Sequence, residues 1–289
     1  MTKKPKKVKA GYLFQRKDDL YYKKYAKVPF SGVSEEFWEN SQLKSRDHYK
    51  EGYKHGSYQW FYENGQLSSQ VNLKDGVLDG PYEIYHMNGQ LEQKGSHKNG
   101  EGNGLIEFFF LNGQPQSRFN MENGQLEGIS EKFFENGQTK ERKTFKKGME
   151  DGLVEEFFKN GQPKIQRNYK DGKLQGVSKD YYENGQLRVK TNYKNGFSYG
   201  TSEVYYRNGQ LEKRSNTKNN LLHGSNETFY RDGQPKLQEN YEEGKLQGVS
   251  IEYFENGQLN NQKNYKDGKL QGVSIEYFEN GQLKVKTNY

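Results

Sequence analysis

The stretch YYENGQL, residues 181–187, decides the reading of the whole chain, because near copies of it return from end to end. Aligned on its Asn, the copies fall at Asn40, Asn64, Asn88, Asn112, Asn136, Asn160, Asn184, Asn208, Asp232, Asn256 and Asn280, each 24 residues from the last. Two glycine series keep the same step. One runs from Gly32 to Gly272, the other from Gly52 to Gly268 with Asn220 as its single substitute. A fixed period of this size, without insertions, marks an architecture of stacked repeats.

Asn-Gly between Tyr- and Phe-rich flanks is the strongest short hairpin signal, since a type I′ turn needs positive φ at both central residues. From Gly176 the unit reads as a strand over 177–183, a two-residue turn at Asn184-Gly185 and a returning strand over 186–193. Such a turn sets Tyr182 opposite Leu187 and Tyr193 opposite Gly176, so that a ring covers bare glycine backbone. Tyr169 with Gly152 and Tyr265 with Gly248 repeat the pairing. One face then carries Tyr182, Leu187 and Tyr193, and the other Val177 and Tyr181. Pro115, Pro163 and Pro235 directly follow the turn, where proline has no N–H to offer a neighbour. Backbone pairing between adjacent hairpins is therefore expected to stop short of the tips.

The expected fold class is all-β: an elongated, single, twisted antiparallel meander of stacked β-hairpins in 24-residue repeats, two strands per repeat and no helix. The expected division is a basic disordered tail over 1–9, a lead-in over 10–31 acting as N-terminal cap or degenerate repeat, and eleven repeats over 32–289.

Only 30% of the residues are hydrophobic and 15% are aromatic, with Tyr (23) and Phe (17) prominent. That suits thin structure in which half-exposed rings supply the apolar burial, and it is too aromatic and too regular for disorder. The net charge of +7 is concentrated at one end. Residues 1–31 hold ten Lys/Arg against Asp18 and Asp19, which leaves the remainder at −1. A phosphate-binding stripe along the repeats is not expected, and nucleic acid is not an expected partner. No apolar run approaches the length of a membrane helix, no hydrophobic stretch follows Lys3 and Lys4, and there is no cysteine. A cytoplasmic location is the expectation.

The combination YYENGQL…YKDGKLQG resembles the bacterial MORN-type repeat, in the variant found in the YwqK-like antitoxin family. LYYKKYAKVPFSG, residues 20–32, is similar to the segment that precedes the first repeat in such proteins, so the resemblance covers about residues 20–289. It implies stacked hairpins forming an elongated, twisted sheet. It also implies an immunity role, in which the chain binds and neutralises a partner toxin by steric occlusion. Repeat proteins of this type also serve as scaffolds and as surface- or lipid-associated proteins. The chain departs from the pattern at Asn40-Ser41, at Asn219-Asn220, and at His97 and Thr217 in a slot that is otherwise mostly Tyr.

Catalysis and metal binding find no support in the pattern. His48, His55, His86, His97 and His223 occupy unrelated slots, apart from His55 and His223, which share one. None accompanies a nucleophile and an orienting acid, and no thiol or ligand spacing is present. GEGNG, residues 100–104, imitates a phosphate-cradling loop but lacks a following helix, and two of its glycines belong to the repeat. No cofactor, metal or catalytic residue is assigned.

The informative signal is where repeats differ. Most repeats place Ser and a charged residue beside an aromatic, as at Ser250, Glu252 and Phe254, whereas repeats two to four carry Tyr58, Trp60 and Tyr62, then Tyr82 and Ile84 with His86 in place of the aromatic, then Ile106, Phe108 and Phe110. These nine are the candidate partner-binding residues, since apolar patches with Trp and Tyr mark partner sites. The alternative is that Leu13, Phe14, Leu20, Tyr21 and Tyr22 of the lead-in fold back over them as a cap. Residues 248–259 and 272–283 are identical, which suits spacing or multivalency better than a unique site. The strand ending at Tyr289 offers an edge expected to support weak self-association. Attachment of the Lys-rich tail to an anionic membrane is a further alternative.

Overall fold

The computed structural model describes residues 6–289. The expected disordered tail falls partly on residues 1–5, which lie outside the described residues. Lys7–Lys9, expected to belong to that tail, instead form a short strand running parallel to Val33–Glu35 of the first repeat. Lys7 Nζ meets Glu35 Oε1 there at 2.9 Å. A single 3₁₀ turn, Ala10–Tyr12, follows, and then a small hairpin of Leu13–Gln15 with Tyr21–Lys23.

The protein is all-β, an antiparallel meander of stacked hairpins. It forms two compact parts, one holding everything up to Thr139 together with Phe145–Met149, the other Lys140–Thr144 and Glu150–Tyr289. Within each part, strands pair in chain order. Gly32–Phe37 pairs with Leu43–Lys50, which pairs with Tyr53–Phe61; in the second part Gly176–Tyr181 pairs with Leu187–Lys194, which pairs with Phe197–Tyr205. Among the described residues six repeats add a two-residue strand at the join, as at Lys173–Leu174.

The two turns of the repeat are built differently from the sequence expectation. At the consensus Asn-Gly, the Tyr182 N–H donates to the Gln186 C=O at 2.8 Å and the Gly185 N–H to the Tyr182 C=O at 2.9 Å. Gly185 lies at φ +83°, whereas Asn184 is not at positive φ. This is a three-residue loop over 183–185 with a left-handed glycine, and not the two-residue type I′ turn. Leu187 consequently pairs with Tyr181 instead of Tyr182. An extra residue between Leu187 and Val189 then restores the expected register, and Tyr193 does face Gly176, as Tyr169 faces Gly152 and Tyr265 faces Gly248. The type I′ geometry sits at the other glycine. Asp171 (φ +48°) and Gly172 (φ +73°) link Lys170 to its partner Lys173.

Asn184 has a different task from supplying positive φ. Its Oδ1 accepts the Gln186 N–H at 3.2 Å and its amide reaches forward to the Arg207 carbonyl of the next repeat at 3.2 Å. Asn40, Asn64, Asn112, Asn160, Asn208 and Asn256 make the same bond to the carbonyl 23 residues on. Tyr182, in the slot two residues earlier, donates its hydroxyl to the Tyr205 carbonyl at 2.8 Å, and Trp38, Tyr62, Tyr206 and Tyr230 act likewise. Backbone pairing between hairpins does stop short of the tips, beginning at Ser117, Ile165 and Leu237 where the proline lies two residues earlier. It stops equally at Val189, where the corresponding residue is Leu187, so proline is not the cause. Side chains join the tips where the backbone does not.

The two faces differ. One carries cross-strand ion pairs, among them Glu35–Arg46, Lys94–Glu107 and Arg118–Glu131 in the first part and Lys190–Glu203 in the second. The other holds the most buried position of most strand pairs. It is Ser34, Tyr58, Tyr82 and Ile106 in the first part, and Val154, Ser178, Asn226, Ser250 and Ser274 in the second. Small hydroxyl residues suffice where neighbouring strands crowd this row, which is how so little apolar material closes the sheet.

Ser41 replaces the left-handed glycine of the first tip and is held at φ +67°. Ser41→Gly removes that strain and is expected to stabilise the protein by about 1 kcal/mol, read as a higher urea midpoint.

Candidate partner-binding site

The lead-in docks on the first join through backbone bonds. The Tyr21 N–H donates to the Gly52 carbonyl, Gly52 to Phe30, and Phe30 back to Tyr21, at 2.8–2.9 Å. A Cβ on Gly52 would lie 2.8 Å from the Leu20 Cβ and 2.9 Å from the Pro29 Cβ, so only glycine admits this contact. Above it an aromatic stack runs from Tyr21 and Phe30 to Tyr49 (5.0 and 5.7 Å between centroids), to Tyr58 (6.2 Å) and to Trp60 (5.5 Å). Phe30, Tyr49 and Tyr58 form the core of this region, with Val8, Leu13, Tyr21, Val71 and Leu73 packed against it. Phe14, also assigned to the cap by sequence, stays 47% exposed, and Tyr22 is buried under the Arg16 guanidinium instead.

The nine candidate residues therefore occupy three kinds of environment. Tyr58 (2% exposed), Tyr82 and Ile106 are buried. Tyr58 donates its hydroxyl to that of Tyr49 at 2.9 Å, and burial pushes the Tyr49 phenol up to about 12 and the Tyr58 phenol higher still, so both remain neutral. Tyr82 stacks near His97 at 4.8 Å and accepts from Gln93 Nε2. Tyr62, Ile84, His86, Phe108 and Phe110 are half-buried, Phe108 lying 6.0 Å from Phe119. Trp60, at 37%, is the most exposed of the nine.

Sequence reasoning passed over two residues that stand out more. Met87 and Leu111 are 65% and 62% exposed at the tips of repeats three and four. In the other nine repeats the same slot is charged, from Glu39 and Glu63 to Glu279, so a comparison of one slot across all repeats would have found them. Beside them a cavity of about 430 Å³ is lined by Asn88, Phe110, Leu111, Asn112 and Glu135.

The chemistry of the region is that of contact surfaces. The histidines are dispersed: His48 Nδ1 meets the Ser57 carbonyl, His55 faces Asp75, and His86 Nδ1 lies 3.5 Å from Glu92. Among the described residues no group of three or more His, Asp or Glu is placed to share a metal ion. No helix among them is long and apolar enough to cross a membrane.

The Asp47 carboxyl is pushed far from its usual range. It pairs across strands with both Ser34 and Tyr58, and its Oδ1 is buried without a partner among the described residues. Burial raises it to about 6, against the opposing pull of Lys54.

The sequence pattern of the MORN repeat variant matches ten spans of the chain: 31–51, 54–75, 78–99, 126–147, 150–171, 174–195, 199–219, 222–243, 246–267 and 270–289. The repeat between 99 and 126, which carries Ile106, Phe108, Phe110 and Leu111, is not among them. No curated protein matches the chain. Two solved complexes, TcdB2-TccC3-Cdc42 and TcdB2-TccC3, align with 82% of it at 11% and 10% identity, with TM-scores of 0.19 and 0.21. The alignment spans about 15% of the length of those chains.

Because its folded pKa exceeds the ordinary 3.8, Asp47 holds its proton more tightly in the native state. Its effect on stability is therefore lost as a penalty below about pH 4 and complete above about pH 6. Asp47→Asn should raise the melting temperature at pH 7, by an amount equivalent to roughly 1 kcal/mol once solvent screening is allowed for. The gain should vanish in a melt at pH 4.

Proposed function

The chain belongs to the MORN repeat variant family, and on that premise we propose that it is a non-enzymatic protein-binding repeat protein. Repeats of this family generally bind proteins or membranes, and its members are typically non-catalytic. The more specific form of the proposal is an immunity protein. It acts in the cytoplasm and neutralises a partner toxin by occluding it.

One observation carries the protein-binding reading. Many consensus residues are spent on turns, clasps and cross-strand pairs, whereas Trp60, Met87 and Leu111 are large apolar side chains left in solvent at slots where this chain departs from its own consensus. Exposed Trp, Met and Leu on a rigid sheet cost solubility and suit a desolvated protein contact. The immunity form is supported by the resemblance of YYENGQL…YKDGKLQG and of the lead-in to YwqK-like antitoxins.

A second reading has its own observation. A hollow of about 360 Å³ in the lead-in is lined by Val8, Lys9, Tyr12, Lys23 and Lys24, with Tyr12 at 61% and Tyr25 at 88% exposure nearby. Cations beside exposed rings suit an anionic bilayer surface.

The test of the first reading is a pull-down from native lysate with the full chain and with Trp60→Ala, both shown to be folded by circular dichroism. One stoichiometric protein should be retained, with affinity at least about tenfold lower for the variant. Its expression alone should arrest growth, and co-expression of the chain should relieve the arrest. Absence of any stoichiometric protein, combined with salt-sensitive sedimentation on phosphatidylserine vesicles, would replace this reading with the second.

A further inference from the structure

Inside the first compact part, successive hairpin tips meet at four junctions. Trp38 and Asn40 close the first onto the Phe61 and Glu63 carbonyls, and Tyr62 and Asn64 close the second onto those of Tyr85 and Met87. Asn112 closes the fourth onto Glu135. The third junction, between repeats three and four, has neither clasp.

The substitution at His86 accounts for one of the two missing clasps. His86 stands in the slot of Trp38 and Tyr62, where a Tyr hydroxyl would reach the Phe109 carbonyl, and its Nε2 is buried with no partner among the described residues. Asn88 still accepts the Gln90 N–H, but its amide makes no bond to the Leu111 carbonyl. A buried unpaired ring nitrogen has a real cost, so the open junction is not an energetically neutral variant of the closed ones.

The tips on either side of this junction are also where the exposed slot turns apolar, at Met87 and Leu111, and a hollow of about 430 Å³ reaches from Asn88 past Phe110, Leu111 and Asn112 to Glu135 of the following tip. Its nearest cation, Lys94, lies 5.5 Å from the Phe109 ring and is already held by Glu107 at 2.7 Å. Residues 85–92 and 109–116 contain no Lys or Arg, while Glu92 lies beside His86 and Glu135 lines the cavity.

We propose that this cleft is a docking point for an extended segment of a partner protein carrying an apolar side chain next to Lys or Arg. The proposal rests on the protein-binding reading and names the chemistry that the site selects. A backbone N–H of the segment takes the place of the missing Asn88 clasp at the Leu111 carbonyl, and a backbone carbonyl of the segment accepts from the idle Asn88 amide. The apolar side chain enters between Met87 and Leu111, whose flexible stems adapt to its shape. The cation faces Glu135 and Glu92, which gives the sign of the selectivity and disfavours phosphate-bearing partners.

The probes are three fluorescein-labelled nonapeptides with a central Lys-Leu-Lys-Leu-Lys, Glu-Leu-Glu-Leu-Glu or Lys-Ser-Lys-Ser-Lys, titrated into the full chain by anisotropy. The Lys-Leu peptide should saturate below about 1 mM, at least tenfold tighter than the other two. Met87→Glu/Leu111→Glu restores the charge that other repeats carry in this slot, and it should weaken that binding at least tenfold. His86→Tyr should close the junction by installing the clasp, weakening the peptide while raising the melting temperature. Equal binding to the Met87→Glu/Leu111→Glu chain, preference for the Glu or Ser peptide, or no saturation overturns the proposal. So does retention on phosphatidylcholine vesicles that this variant loses, which would assign the cleft to lipid. If a captured partner is lost on Trp60→Ala yet kept by Met87→Glu/Leu111→Glu, the cleft fails while the protein-binding reading stands. If no stoichiometric partner exists at all, that reading fails instead.

Discussion

A hydrogen bond that always lands on the carbonyl 23 residues ahead is the constraint on which the rest of this structure depends. The turn Asn supplies it at seven junctions, and the Tyr or Trp two positions earlier supplies a second from its hydroxyl or indole at five. Each such bond contributes about 1 kcal/mol by itself. Their joint effect is on register, because one inserted residue would move every donor off its acceptor at that junction. An unbroken 24-residue period is what that requirement leaves behind in the sequence.

The clasp also explains why so little hydrophobic residue is needed. Adjacent hairpins are joined by backbone pairing along their inner strands and at most junctions by side chains at the tips, so the apolar rows only have to fill gaps between strands already fixed. That allows Ser34, Ser178, Ser250 and Ser274 to occupy positions as buried as those of Tyr58 and Val154. On the opposite face, paired charges such as Lys94–Glu107 and Arg118–Glu131 each contribute little to stability on their own. Placed directly opposite one another, they disfavour a slipped register in which like charges would meet.

Much of this was legible in the sequence. The period, the all-β class, the meander and the pairing of Tyr193 with Gly176 follow from spacing alone, because strand alternation and glycine conformation are local properties. The turn type was not legible. Asn-Gly serves a two-residue loop and a three-residue loop equally well, and the three-residue form goes with Asn184 Oδ1 accepting the Gln186 N–H, as Asn88 Oδ1 accepts that of Gln90, a bond that the residue types alone do not announce. Leu187 moved from Tyr182 to Tyr181 for that reason. The strand at Lys7–Lys9 was hidden behind lysine content that reads as a solvated tail, and its pairing is secured by Glu35, far away in sequence. The candidate site was partly legible: repeats two to four are unusual, but composition cannot tell that Tyr58 is sealed by the lead-in while Trp60 faces water.

A repeat scaffold built this way restricts where a recognition surface can arise. Inner strand positions are committed to pairing on both sides, so a change there propagates into two neighbours, as the burial of Tyr82 and Ile106 illustrates. The join turns need two successive left-handed residues, and Asn219-Asn220 keeps that geometry even without glycine, at φ +52° and +67°. The tip slot between the aromatic and the Asn is different. Its side chain is exposed, as at Met87 and Leu111, and varies between Glu, Lys and Arg elsewhere, with Arg231 resting over the Tyr206 ring. Apolar residues enter there at no cost to the sheet, and relinquishing the clasps beside them leaves the Asn88 amide unspent without disturbing the register that the flanking junctions hold. Repeats three and four make both changes at once, and it is this coincidence, more than either feature alone, that separates a recognition surface from an imperfect copy of the consensus.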